Sequence, residues 1–257
     1  MKHYIGVDLG GTHLRVGVVR GGRLEWDRRV AAHLERRCAG AATEEAVQTV
    51  LRELRDAIGH ALEAFPDAAA VGLAVPGFVD PQSGRIAGLP NVPGVEDADL
   101  ARPLERVLEL PVVVENDALA AAWGAFQRHP ERPLDLIFLG LGTGVGGGVI
   151  LDGRPYRGRH GYAMEVGHIV VEPGGRACGC GGRGCLERYA SASGVSLDYQ
   201  EATGDELPAR DIAVRARDGD REAAAAFSRA GEHLAGVVAT LMKTLDVTHV
   251  VVGGGMA

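Results

Sequence analysis

Tyr4-Ile5-Gly6-Val7-Asp8-Leu9-Gly10-Gly11-Thr12-His13-Leu14-Arg15-Val16-Gly17-Val18-Val19 places apolar residues at strand spacing on both sides of a glycine pair. Tyr4 to Val7 and Leu14 to Val19 read as strands broken by Gly10-Gly11, and a third strand, Leu24 to Val30, follows Gly21-Gly22. The chain therefore opens as a meander of hairpins. Glycines let a backbone come close to a phosphate and present its N–H groups, and Thr12 adds a hydroxyl donor. Asp8, at the strand end, suits Mg2+ held directly or through water. A plain hairpin turn uses the same residue types, so this loop taken alone divides evenly between the two readings.

A second glycine block, Gly142-Thr143-Gly144-Val145-Gly146-Gly147, matches G-x-G-x-x-G in form. A dinucleotide fold requires a helix next, whereas Val149-Ile150-Leu151-Asp152-Gly153 reads as strand and turn. No G-x-x-x-x-G-K-[ST] is present either. Two threonine-bearing glycine hairpins instead suit the two-sided phosphate clamp of the actin-like ATPase fold. For each hairpin alone, tight packing is an equally good explanation; for both together it is a poorer one.

Glu115-Asn116-Asp117 ends a buried strand and starts a helix. An Asp there either caps the helix or serves as a general base, taking the proton of a hydroxyl that attacks a γ-phosphate. On the second reading Asn116 hydrogen-bonds a neighbouring hydroxyl. The most specific signal is Glu165-Val166-Gly167-His168 followed by Cys178-Gly179-Cys180-Gly181-Gly182-Arg183-Gly184-Cys185-Leu186-Glu187. His168, Cys178, Cys180 and Cys185 form a closed tetrahedral donor set of the kind structural zinc takes. Three unliganded thiols so close together would be prone to oxidation. Four protein ligands leave no open position, so the metal is expected to brace a loop that has little core of its own.

The surrounding elements fit two α/β domains. Glu44 to Ala64 carries apolar residues at helical spacing and stops before Pro66; Ala69 to Val75 is a buried strand closed by Pro76-Gly77. Leu100 to Leu108 reads as a helix, Val112 to Glu115 as a strand and Ala118 to Gln127 as a helix. The pattern then restarts: Leu134 to Leu141 and Val145 to Leu151 are strands, Asp220 to Leu245 is a long helix, and Thr248 to Val252 is a last strand before Gly253-Gly254-Gly255. This order predicts residues 1–115 as a first domain with the first phosphate loop, and 116–257 as a second with the glycine hairpin, the zinc loop and the terminal glycine loop, around a cleft.

Bulk properties narrow the partners. Of 257 residues, 46% are hydrophobic and 24% charged, an ordinary globular balance. The net charge of −7 argues against a nucleic-acid surface. Arg28, Arg29, Arg36 and Arg37 crowd together with acidic residues interleaved, as on a solvated face. The opening apolar run is too short for a signal peptide, and no segment approaches the ~20 apolar residues of a membrane span. The expectation is a cytoplasmic protein with reduced thiols and no membrane partner. Cys38 stands alone and reads as a partly buried small hydrophobe.

In order along nearly the whole chain, DLGGT from Asp8, VPG from Val75, LPN from Leu89, END from Glu115, LGTGVGGG from Leu141, EVGH from Glu165, CGCGGRGCLE from Cys178 and VVGGG from Val251 resemble the ROK group of repressors, open reading frames and kinases. The resemblance implies an actin-like fold, ATP with Mg2+, and a sugar lying between the domains. It implies Asp117 as base, with Gly77, Asn91, Asn116, Glu165, His168 and Glu187 around the sugar hydroxyls, His168 also binding zinc. It implies the nucleotide at Asp8, Gly10, Gly11, Thr12, Thr143, Gly144 and Gly254, and a homo-oligomer, dimer or tetramer. EVGHIVVEPGG and CLERYAS look most like glucokinase members, which implies phosphorylation of glucose to glucose 6-phosphate. The alternatives are a kinase for N-acylmannosamine, allose or fructose, or a non-catalytic sugar-binding regulator. His13 stands where lysine commonly follows GGT, as in some allose-type kinases. Family members usually continue for several tens of residues beyond the position of Ala257, with a helix that packs back on the first domain. Repressor members carry a DNA-binding domain before the glycine motif, where only seven residues stand here.

Overall fold

The structure is a computed structural model that describes all 257 residues, Met1–Ala257. It divides into two compact units, Met1–Ala120 with Arg157–Ala163, and Ala121–Tyr156 with Met164–Ala257. The short return of 157–163 to the first unit has no compositional mark in the sequence.

In the first unit, β1 (His3–Leu9), β2 (His13–Arg20) and β3 (Arg23–Ala31) form the expected meander. A short helix, α1 (Leu34–Arg37), and a long one, α2 (Thr43–Ala64), separate it from the strands that follow. β4 (Ala68–Val75), β5 (Ile86–Gly88), β6 (Glu96–Ala98), α3 (Ala101–Leu108) and β7 (Val112–Asn116) follow, and α4 (Asp117–Arg128) runs on from β7. The main sheet has the order β3-β2-β1-β4-β7, with β4 parallel to β1 and β7 parallel to β4. Strict alternation sets its faces: His3, Ile5, Val7 and Leu9 are buried while Tyr4, Gly6 and Asp8 are exposed. α2 covers the buried face with Ala46, Val50, Leu51, Leu54, Ala57, Ile58 and Ala61, one stripe of a 3.6-residue repeat. Each large aliphatic side chain so buried stabilises the unit by roughly 1.5–3 kcal/mol relative to exposure. Cys38 belongs to this core and is wholly buried, deeper than its sequence context suggests.

The second unit holds β8 (Leu136–Leu141), β9 (Val145–Leu151), β10 (Arg154–Pro155), α5 (Glu187–Ala190), α6 (Ala192–Thr203), α7 (Ala209–Arg217), α8 (Arg221–Leu245) and β11 (Val250–Gly253). Its sheet has the order β10-β9-β8-β11, with β11 parallel to β8. Val145–Leu151 is a strand directly after the glycine block, so the dinucleotide-type continuation is absent, as its sequence context required. Asp220 caps α8, its carboxylate accepting the Glu222 and Ala223 N–H groups at 3.0 Å each. α6 and α7, not expected from sequence, build a second apolar cluster with α8 through Val195, Tyr199, Ile212, Ala223 and Ala226. No helix is long and apolar enough to cross a membrane.

Candidate functional site

In the first unit the register gathers three of the motifs at one sheet edge. Asp8 pairs with Ala74, and Ala74 with Glu115, across the parallel strands β1, β4 and β7. DLGGT, VPG and END thus all leave the carboxyl ends of adjacent strands, where open α/β sheets place their ligands. The loops then interlock. A Cβ at Gly11 would collide with the Asn91 carbonyl, and one at Gly77 with the Gly88 carbonyl. Gly77 also has φ 121, which favours glycine. Its carbonyl accepts the Asn116 side-chain amide at 3.0 Å. Gly10, Gly11, Gly77, Asn91 and Asn116 are therefore one connected backbone network. The carbonyls of Gly11 and Thr12 accept from Leu34, Ala32 and His33, which fixes the first loop from its far side.

The N-cap of α4 is Asn116. Asn116 Oδ1 accepts the Leu119 N–H at 3.0 Å, the geometry of an N-cap. Asp117 is the first helical residue, and its Oδ1 accepts the Ala118 N–H at 2.7 Å. Asp117 keeps access to solvent, yet loss of water around its carboxyl pushes its pKa above the ordinary carboxylate value. The Ala118 N–H pulls the other way, and the charge of Asp8 adds a further upward push. The Asp8 charge thus reaches Asp117, whose carboxyl is biased toward holding its proton. Glu115, which sequence reading passed over, is tied to the returning segment: Arg157 Nε donates to its Oε2 at 2.7 Å, while its Oε1 accepts the Asn116 N–H at 3.0 Å. A glutamate before the Asn-Asp pair and an arginine 42 residues later carry no joint sequence signal.

In the second unit the glycine hairpin between β8 and β9 meets the starts of α5 and α6. Gly142 N–H donates to the Gly144 carbonyl at 3.0 Å, and the Gly142 carbonyl accepts from Ala192 at 2.9 Å. Ser193 Oγ donates to the Thr143 carbonyl at 2.9 Å. Glu187 Oε2 accepts the Val145 N–H at 3.1 Å, and a Cβ at Gly144 would collide with that carboxylate. Gly254 lies against the Leu141 carbonyl. Thr143, Gly144, Gly254 and Glu187 are thus brought together. Glu165 and His168 sit one turn apart, with His168 Nε2 3.9 Å from Glu165 Oε2. Leu186 N–H donates to the Ile169 carbonyl at 2.8 Å, which sets Glu187 and His168 on either side of one backbone bond.

The donor set expected for zinc converges. The ligand atoms of His168, Cys178, Cys180 and Cys185 all lie within 4.8 Å of one another. Cys178 Sγ is 3.6 Å from His168 Nδ1, and Cys180 Sγ is 3.7 Å from Cys185 Sγ. A tetrahedral metal bonded to sulfur at about 2.3 Å keeps its ligands about 3.8 Å apart, so these separations fit a zinc tetrahedron. They are far too long for disulfides. Electrostatics agrees: burial, followed by the neighbouring thiols Cys180 and Cys178, pushes Cys185 up to about 12, while backbone N–H donation at Gly182 holds Cys180 below the usual thiol range. The loop is otherwise held by short backbone bonds, Cys178 to Gly182 and Gly184 to Arg176, and a Cβ at Gly184 would collide with the Glu172 carbonyl.

Residues 4–257 match the ROK family. The N-acetylmannosamine kinase of Escherichia coli is 34% identical over 253 residues, covering 98% of this chain and 82% of that protein. A ROK family glucokinase from Streptomyces griseus, solved in complex with glucose and AMPPNP, superposes with a TM-score of 0.81 at 34% identity, over 99% of this chain and 83% of that one. A ROK hexokinase from Thermus thermophilus gives a TM-score of 0.79 at 34% identity, over 98% and 82%.

Proposed function

The chain belongs to the ROK family, and from that premise we propose that it is an ATP-dependent sugar kinase whose substrate is a hexose, glucose first. The observation that carries the chemistry is Asp117, which stands exposed where β7 ends and α4 begins, with the N-cap supplied by Asn116 and with loss of water around its carboxyl and the charge of Asp8 pushing its pKa up. In the reaction the hydroxyl at the sugar's primary carbon gives its proton to the Asp117 carboxylate. The resulting oxygen forms a bond to the γ-phosphorus, and the bond from that phosphorus to the β–γ bridging oxygen breaks, with ADP leaving on the electron pair. Phosphoryl transfer needs positioning and charge stabilisation more than covalent assistance.

We assign Gly77, Asn91, Asn116, Glu165, His168 and Glu187 to the sugar hydroxyls. Gly10, Gly11, Thr12, Thr143, Gly144 and Gly254 are assigned to the nucleotide. Asp8 would hold Mg2+, which supplies charge neutralisation to the phosphoryl oxygens when bound with ATP. His168, Cys178, Cys180 and Cys185 would hold one structural zinc ion, and the tetrahedral separations support that assignment. The Streptomyces griseus glucokinase favours glucose, and the Thermus thermophilus hexokinase a hexose. The equally similar Escherichia coli enzyme favours a second reading, N-acetylmannosamine.

ADP release measured with glucose, mannose, fructose, allose and N-acetylmannosamine separates these readings. The highest kcat/KM is expected with glucose; a higher value with N-acetylmannosamine installs the second reading, and no sugar-dependent ADP release sinks both.

A further inference from the structure

Met164 has φ 68, in the left-handed region that side chains with a Cβ rarely adopt. Its carbonyl accepts the Val166 N–H at 2.7 Å. Glu165 between them has φ −68 and ψ 53, the conformation at the centre of an inverse γ-turn. The His168 N–H then donates to the Glu165 carbonyl at 3.0 Å. Glu165 thus stands at the centre of one turn and opens the next, and the direction of its Cα–Cβ bond follows from the backbone on either side.

Contacts within the second unit hold that backbone. The Met164 side chain packs, half-buried, on the apolar cluster that includes Ile137, Val145 and Val166. A Cβ at Gly147 of β9 would stand 2.8 Å from both the Met164 carbonyl oxygen and Val166 Cγ2. A Cβ at Gly167 would collide with the Val145 carbonyl. The turn is pressed onto β9 at two places where one partner is a glycine, Gly147 against Met164 and Val166, and Gly167 against Val145. Non-glycine residues in the left-handed region persist where their surroundings over-determine them, and they gather at binding sites.

We propose that Met164 is a positioning residue of the sugar site: its left-handed backbone, held by the contacts of the turn with β9, aims Glu165 at the sugar hydroxyls. This rests on the assignment of Glu165 to the sugar. Valine, branched at Cβ, resists φ 68 and would open the γ-turn, whereas glycine adopts it freely.

The test uses the hexose that the intact enzyme turns over fastest. Met164→Val is expected to raise the sugar KM about tenfold, leaving the ATP KM and the zinc content as in the parent. Met164→Gly is expected to keep the sugar KM within about twofold. A general packing defect would instead move both KM values, and glycine would be the worse replacement. Glu165→Gln is measured alongside. If it leaves the sugar KM unchanged, the assignment of Glu165 fails and this inference with it. If Glu165→Gln raises the sugar KM while Met164→Val and Met164→Gly both match the parent, the positioning role alone is overturned. Should Met164→Val not fold, Met164→Ala takes its place: a sugar KM above that of Met164→Gly supports the role, and equal values overturn it.

Discussion

Asp117 joins two properties that pull in opposite directions. Its raised pKa, caused first by burial and then by Asp8, means the native state holds the proton more tightly than the unfolded chain does. By linkage, stability is greatest at the acid end and is lost as pH rises through the native pKa. Catalysis runs the other way, because the base must be ionised. Asp117→Asn is therefore expected to lower kcat by about 10²–10⁴-fold and to raise the melting temperature at neutral pH, with sugar affinity within a few-fold. Kinetics, calorimetry and titration on one sample check all three. In the free parent protein the Asp117 carboxyl should titrate with a midpoint above the ordinary carboxylate range, and Asp8→Asn should move that midpoint down. A midpoint unmoved by Asp8→Asn would separate the two carboxylates. Sequence could name Asp117 but left it divided between cap and base, because both roles use the same residue type at the same strand-to-helix junction. The hydrogen bond from Leu119 gives the N-cap to Asn116, which leaves the base as the role proposed for Asp117.

Among the elements, β1, β2, β3, α2, β4, α3, β7 and α8 were legible because each carries a clean period of two or of 3.6. α6 and α7 were not: they are short and take their stability from packing on α8 through Tyr199 and Ile212. The 157–163 segment was invisible for a different reason, since its place depends on a partner 42 positions away in the chain. Arg157 is 40% exposed and Glu115 18%, so their ion pair is partly screened and is expected to contribute about 1 kcal/mol. Glu115→Gln, Arg157→Met and the double variant, compared by urea unfolding, should show a coupling of that size. Strict additivity would mean that the pair does not anchor the segment.

Across the whole molecule, each unit has its own apolar core, but the second also contains a glycine-rich loop whose backbone bonds span only a few residues. Metal binding to such a loop is folding free energy for the unit that carries it. Metal analysis should find one zinc per chain in reduced protein and none in Cys180→Ser. Chelation should make residues 172–186 sensitive to protease while the first unit keeps its protection. Equal loss of protection in both units would deny the zinc a local role. Residue types and spacings by themselves determined the two glycine hairpins, the zinc donor set, the α/β character and the kinship with sugar kinases, because each is a local pattern whose chemistry survives without coordinates. Tertiary structure alone decided that Asn116 caps and Asp117 does not, that Arg157 returns to Glu115, and that Met164 takes a left-handed turn before Glu165. Each of these depends on groups that only folding brings within hydrogen-bonding or van der Waals reach, and no spacing along the chain encodes that distance.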